Sequence, residues 1–386
     1  MNALERTEKQ MADLSELSLR ALPGMFDEQT ALFSHKTVVV DGAYRNREPN
    51  VLYSSVSLVG LLRQRRRPVD EVMPLGPALD GLYRAVAERG VPGEMANFVW
   101  AATIAGDERA AEILRRLCDV DPRVCSGGEL GQVLYGLVRG AETFPAERDR
   151  AAAAAAAAAA ELLARFVPAA DTFKSTPRHR RLPRRELLEA RLGSFAAQVY
   201  PLHGLAAYYL WNGETPAPAL ARVAARIVEA QGPMGEWYWI YSTRKRAVLE
   251  GYPVYSVHQD GMAFLGLMEL ERLGLGSFVE PLALGLDWVF GANDLGVSLV
   301  RREPPMIHRC IMRAGSDADG PYGVPAANLR QIFLRSLTAR PGRDYTDADP
   351  AQLEVLEECR SYHLGWALYA DSLVQEAQAR HAGGRA

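Results

Sequence analysis

Cysteine is scarce: Cys118, Cys125, Cys310 and Cys359 are the only four in 386 residues. They are too few and too scattered for a disulfide framework, so reduced thiols in a cytoplasmic chain are expected. No run approaches the roughly 20 apolar residues of a membrane span. The charged start, MNALERTEKQMADLSEL, lacks the apolar stretch of a secretory leader. An excess of one charge is also missing, since 44 basic and 47 acidic residues leave a net −3. Global charge therefore argues for neither nucleic acid nor an anionic membrane as partner. Two local basic runs, Arg63 to Arg67 and Arg178 to Arg185, sit beside proline and read as solvated loops. There is no GxGxxG after a strand, no P-loop, no HExxH and no GxSxG. Strand-like alternation is rare.

Helix-period patterns fill most of the length, and they come in two kinds. Tyr53–Leu62, Met95–Ala105, Gly128–Val138, Val199–Trp211, Val257–Leu270 and Tyr362–Leu373 are small or apolar all round. Between them lie one-faced or charged segments such as Gly76–Arg89, Glu108–Cys118, the polyalanine stretch from near Pro145, Ala219–Ala230 and Phe278–Phe290. An all-round apolar helix must be buried, whereas a one-faced helix lies at a surface. Alternating the two kinds roughly six times describes inner helices around an axis with outer helices around them, each pair burying its face against neighbours. The expected fold is all-α, an (α/α)6-type toroid in a single domain over 1–386, with an N-terminal helix over 1–20 and a flexible tail over 375–386. Two interruptions read as β-hairpins, 236–255 and 296–312.

The first interruption is the richest part of the chain. Within Gln231–Ala263 it gathers Trp237, Tyr238, Trp239, Tyr241, Tyr252 and Tyr255 beside Glu236, Glu250, His258 and Asp260. Aromatics at that density line pockets, because they bring large rigid faces with few rotamers to freeze. Three apolar helices also begin alike, with an aromatic, then His, then small residues: Tyr200 and His203, Tyr255 and His258, Tyr362 and His363. Inner helices of a toroid run the same way, so these histidines are expected to converge on the central cavity, at helix ends that favour negative charge. Asp260 follows His258 within the first turn. Asp317 and Asp319 sit on the Gly-bounded loop GSDADG. Two such carboxylates would couple, and one would hold its proton at higher pH.

Gln231-Gly-Pro-Met-Gly235-Glu-Trp237 resembles the repeat element of the terpenoid cyclase and protein prenyltransferase toroids, a Gln followed by Gly-x-Trp. Ser361-Tyr362-His363-Leu-Gly-Trp366 similarly resembles the closing helix of the prenyltransferase β-subunits. The resemblance implies that Gln231 caps neighbouring helices and that Trp237 packs between repeats. The prenyltransferase zinc site also uses an Asp-x-Cys pair, which this chain lacks, and Ser316–Gly320 matches the cyclase Asp-x-Asp-Asp acid motif only in part. No metal or other cofactor is therefore expected. The leading expectation is an enzyme performing acid-initiated cyclisation or isomerisation of an isoprenoid substrate. Asp319 with Asp317, or Asp260 beside His258, would donate the proton, and Glu236 or His203 would accept it. Trp237, Trp239, Tyr241, Tyr200, Tyr252, His363 and Trp366 would line the substrate's path. One alternative is a carbohydrate-active toroid (uronate lyase, epimerase or glycoside hydrolase), with Tyr255 and His258 as proton donor and acceptor and arginines near the mouth holding the uronate of an oligosaccharide. A non-catalytic helical binding protein is the other.

Overall fold

The computed structural model describes residues 2–177, 190–316 and 326–383. In chain order the helices are α1 (Ala3–Ala21), α2 (Val51–Arg63), α3 (Leu75–Arg89), α4 (Pro92–Ala105), α5 (Ala110–Cys118), α6 (Gly127–Thr143) and α7 (Arg148–Ala164). They continue with α8 (Ala196–Asn212), α9 (Pro218–Glu229), α10 (Ala263–Arg272), α11 (Val279–Val289), α12 (Ala326–Thr338) and α13 (Ser361–Gly383). A π-helical turn, His258–Met262, leads into α10.

Six of these touch in sequence: α2 to α4, α4 to α6, α6 to α8, α8 to α10, α10 to α13, and α13 back to α2. The ring is closed. Outside it, α3, α5, α7 and α9 back the ring helices next to them in sequence, and α11 lies against the π-turn. The first helix, α1, packs on both α13 and α11, joining the two ends of the chain. Its Gln10 amide donates to Asp287 of α11 at 2.9 Å. Among the described residues no helix is long and apolar enough to cross a membrane.

The layers follow from side-chain pattern. Along α4 every residue from Gly93 to Ala102 is buried, as a helix walled on all sides requires. In α5 only Ala110, Ile113, Leu114 and Leu117 are buried, the single stripe of a surface helix. Small residues let ring helices meet backbone to backbone. A Cβ at Gly60 of α2 would collide with the Gly365 carbonyl of α13, and one at Gly204 of α8 with the Gly131 carbonyl of α6. The ring is therefore tight enough to leave little free space along its axis.

Short sheets gather at one end of the ring. Residues 240–242 pair antiparallel with both 192–194 and 248–250. Residues 310–313 pair with 254–255 and 353–356, and 37–40 pair with 43–46 and 358–359. Residues 300–301 and 306–307 form a further two-stranded ribbon. Several of these strands run straight into the N-terminus of a ring helix, so they form the rim of one mouth. At the other end of the chain the tail expected over 375–386 is corrected for 375–383, while 384–386 lie outside the described residues. Helix α13 continues to Gly383, because Ala377 is buried and Glu376 pairs with Arg63 at 2.7 Å. The solvated loop expected at Arg63–Arg67 is also tied down, since Arg66 forks onto the buried carboxylate of Asp371.

Candidate functional site

The first turns of five ring helices, α2, α4, α6, α8 and α13, and the π-turn that leads into α10 face one cavity of about 610 Å³. Small-molecule sites commonly span about 300–1,000 Å³. Helix caps decide which side chains look inward. Asn50 caps α2 by accepting from the Tyr53 N–H at 2.9 Å, which sets Tyr53 in the first turn. Ser126 and Glu129 form a capping box on α6, so Glu129 stands at the third position facing the cavity. Pro92 opens α4, and Glu94 follows in its first turn. Helix N-termini aimed at one volume favour negative charge there.

The cavity has an acidic wall and an aromatic wall. On the acidic side, both oxygens of buried Glu94 accept from the Arg89 fork, at 2.9 and 3.0 Å. Among the described residues Glu129 receives two long backbone bonds, from Gly93 N at 3.3 Å and Ser126 N at 3.4 Å. Of the two, Glu129 is the carboxylate with capacity for a ligand. Gln132 stands one turn beyond it.

The rest of the lining includes Tyr200, which packs on Gly128 of α6, and Trp239, Tyr255, His258, Arg309 and Tyr362. His258 stacks on Trp239 at 5.2 Å between centroids and meets Tyr255 edge-on at 5.3 Å. Its Nδ1 donates to the Trp237 carbonyl at 3.4 Å, which leaves Nε2 as the acceptor of a neutral ring. Burial pushes the His258 imidazole down to about 3, so it stays neutral near pH 7. Burial raises the phenols of Tyr200, Tyr255 and Tyr362 instead, so they remain protonated donors. The Trp239 indole N–H is buried without a hydrogen-bond partner among the described residues.

Five residues singled out from sequence, Tyr200, Trp239, Tyr255, His258 and Tyr362, line this cavity. The expected convergence of His203, His258 and His363 is corrected. His203 lies deeper, stacked on Tyr135 at 4.0 Å and beside Trp100 at 5.5 Å. With Trp366 and Tyr369 these rings plug the axis beneath the cavity. The reason is where α8 starts: at Ala196, which puts His203 two turns in rather than at the entrance. His363 turns sideways to Asp260, its Nε2 2.8 Å from the carboxylate, with both side chains buried behind the lining. Trp366 donates from Nε1 to the Tyr200 hydroxyl at 3.1 Å.

The remaining candidates lie elsewhere. Glu236 accepts from the Tyr238 hydroxyl at 2.7 Å and from Met234 N at 2.9 Å, inside its own loop. Trp237 is fully buried, 5.8 Å from Phe195, and against Gly285 of α11. Gln231 donates to the Gly235 and Pro281 carbonyls at 2.7 and 2.8 Å. Tyr241 is buried in the rim sheet, and Tyr252 donates to Asp294. Asp317 and Asp319 lie outside the described residues. Sequence reading passed over Tyr53, Glu94, Glu129, Gln132 and Arg309. Two signals were available: the lone acid in the apolar PGEMANFVWAATIA helix, and Ser126-x-x-Glu129 before an apolar run.

Two buried neutral histidines make the protein acid-sensitive. Burial also holds His203 down at about 3, against about 6.5 in an unfolded chain. Below about pH 6.5 the unfolded state takes up protons that the folded state refuses, so stability falls as pH falls towards 3. Between about pH 7 and about pH 5, each such histidine removes about 2 kcal/mol. The variant His203→Phe should lose about 2 kcal/mol less than the parent over that interval in urea titrations. An unchanged pH slope in the variant would refute this account.

No protein-family model and no curated protein matches the sequence. Solved structures do match, over nearly the whole chain. One is a glycosidase solved with glucose, at a TM-score of 0.55 and 13% identity, covering 97% of this chain and 99% of that one. Another, named UGL and solved with dGlcA-Glc-Rha-Glc, gives 0.54 at 12% identity over 96% of each chain. A type II terpene cyclase from Scytonema, solved with geranylgeranyl dihydroxybenzoate, gives 0.50 at 12% identity, covering 96% and 99%. The fold is a helical toroid. At these identities the likeness extends to the fold and no further.

Proposed function

We propose that the protein is an enzyme performing acid–base chemistry on a polyhydroxylated, saccharide-type substrate, as a lyase, epimerase or hydrolase. One observation carries this reading: among its aromatic and aliphatic side chains the cavity wall presents several phenols, two carboxylates, an amide and hydroxyl groups. Sugars present that same mixture, with hydroxyls at their edges and C–H faces that stack on rings. Glu129 is the group assigned to proton transfer, since among the described residues its carboxylate pairs with no arginine. The Tyr255 phenol donates to the substrate, and neutral His258 accepts a hydroxyl at Nε2. The (α/α)6 arrangement suits this, because every repeat delivers one helix N-terminus to the same mouth. The glycosidase with glucose and UGL with dGlcA-Glc-Rha-Glc are toroids of similar fold, which is compatible with this reading.

The isoprenoid reading is ranked second. Its candidate proton donors were Asp317 and Asp319, which lie outside the described residues, and Asp260, which is buried against His363 away from the cavity. A thermal-shift screen separates the two. Neutral and acidic oligosaccharides should raise the melting temperature by several degrees, and prenyl diphosphates should not. The reverse pattern would overturn the ranking.

A further inference from the structure

We infer that the cavity is blind along the ring axis and admits only the end of a chain, so that the enzyme acts on one or two terminal units of a saccharide and not on an internal one. The saccharide class rests on the proposed function; the closed floor does not.

The lining residues furthest along their elements are Val56 of α2, Gln132 of α6, Tyr200 of α8 and Met262 of the π-turn. On α6 the lining runs from Ser126 to Gln132, about 9 Å at 1.5 Å per residue. One turn beyond Gln132, Tyr200 and Tyr362 come Tyr135, His203 and Trp366. With Trp100 and Tyr369 these are at most 6% exposed. Counted round the ring, α6 and α13 stand opposite one another, so a contact between their side chains crosses the axis. The Tyr135 and Tyr369 hydroxyls are 3.3 Å apart, and His203 Nε2 of α8 is 3.4 Å from the same Tyr369 hydroxyl. Trp100 of α4 packs 4.2 Å from Tyr135 and 5.0 Å from Tyr369. Four ring helices therefore meet through aromatic side chains, and Trp366 joins them to the lining by its bond to Tyr200. Further along the axis Arg63 lies over Tyr369 and Arg139 over Tyr135, paired with Glu376 and Glu142 at 2.7 and 2.9 Å.

A ligand entering from the rim stops at these rings. Passing them would break close-packed contacts and strip the Tyr135, Tyr369 and His203 polar atoms of their partners. The groups assigned to chemistry lie well inside the opening, since His258 is 1% and Tyr255 8% exposed. An internal unit of a polymer has chain on both sides. To reach His258 it would have to fold back on itself and leave by the way it entered. A chain end has one continuation only, and that points back to the rim. A volume of about 610 Å³ suits one drug-sized ligand, the scale of a mono- or disaccharide.

Titration calorimetry on the full chain reads the floor from chain length, with glucose, cellobiose, cellotriose and cellohexaose, then geraniol, farnesol and geranylgeraniol. Affinity per molecule should level off at one or two sugar units, changing less than about twofold between cellobiose and cellohexaose. Val56→Phe, which fills the floor, should weaken cellobiose at least about tenfold. Should Val56→Phe fail to fold, the length series of the parent protein decides. Affinity that keeps climbing to cellohexaose, or a folded Val56→Phe that binds cellobiose unchanged, would indicate an open cleft; it overturns the inference and keeps the saccharide reading. Loss of binding beyond cellobiose confines the enzyme to free small sugars and overturns the inference too. If only the prenyl alcohols bind, the saccharide reading fails. Affinity that levels off by farnesol then keeps the closed floor, and affinity that climbs to geranylgeraniol overturns it. No binding of any probe overturns both.

Discussion

Replacing Asp260 alone with alanine should cost about 3–5 kcal/mol of folding stability, the usual penalty for removing one member of a buried pair. Asp260 is 0% exposed and His363 is 2% exposed, and 2.8 Å separates the imidazole Nε2 from the carboxylate. Burial pushes the Asp260 carboxyl above the ordinary range, while His363 beside it draws it back. Without Asp260, the imidazole nitrogen would be stranded in a dry interior. A loss of that size is a large share of a typical total of about 5–15 kcal/mol. The pair also joins two ring helices, because Asp260 sits on the π-turn before α10 and His363 in the first turn of α13. Urea titration should show Asp260→Ala and His363→Ala each severely destabilised. The double variant Asp260→Leu, His363→Leu should be more stable than either, since it leaves no polar group unpaired. Single substitutions costing under about 1 kcal/mol would show that the pair contributes little.

The second large effect is on turnover. Glu129→Gln should lower the rate by about 10²–10⁴-fold, the range general acid–base catalysis commonly contributes. The substitution is chosen because glutamine serves the third position of a capping box as glutamate does. The fold of α6 should therefore survive. One of the two long backbone bonds to the carboxylate would be lost, a cost of about 1 kcal/mol at most. Circular dichroism and urea titration would establish that the variant is folded, and turnover would be measured on the substrate found by the binding screen. His258→Gln should have a smaller effect on rate and a larger one on KM, because a neutral acceptor binds substrate without transferring its proton. Wild-type turnover by folded Glu129→Gln would remove Glu129 from the mechanism and return attention to Tyr255.

These assignments show how far a single sequence reaches. The apolar runs at α4 and α8 and the one-faced α5 and α9 were legible because helical burial repeats every few residues. Tyr255 and His258 stood out because they occupy a dense aromatic stretch and also precede a ring helix. Glu94 and Glu129 were visible as letters, but an acid in a first turn is usually a cap, and Glu129 is indeed one. The histidine triplet misled because the aromatic-x-x-His spacing of Tyr200 and Tyr255 matches while the helix starts do not. Ala196 begins α8 well before His203, whereas His258 is the first residue of its π-turn.

By itself the sequence determined a helical chain with alternating buried and one-faced helices, four scattered thiols and no membrane-spanning run. Those properties are set by neighbours a few residues apart. Only the tertiary structure decided that the ring closes by α13 meeting α2, that the rings of Trp100 and Tyr369 pack edge to face, and that Glu129 lines the same cavity as His258 and Arg309. Such choices depend on groups a hundred or more residues apart and on the depth at which each helix begins. Helical periodicity carries neither. The ion-pair cluster at Glu358 is the clearest case, because strand pairing brings Lys36, Arg309 and Arg360 together on one carboxylate.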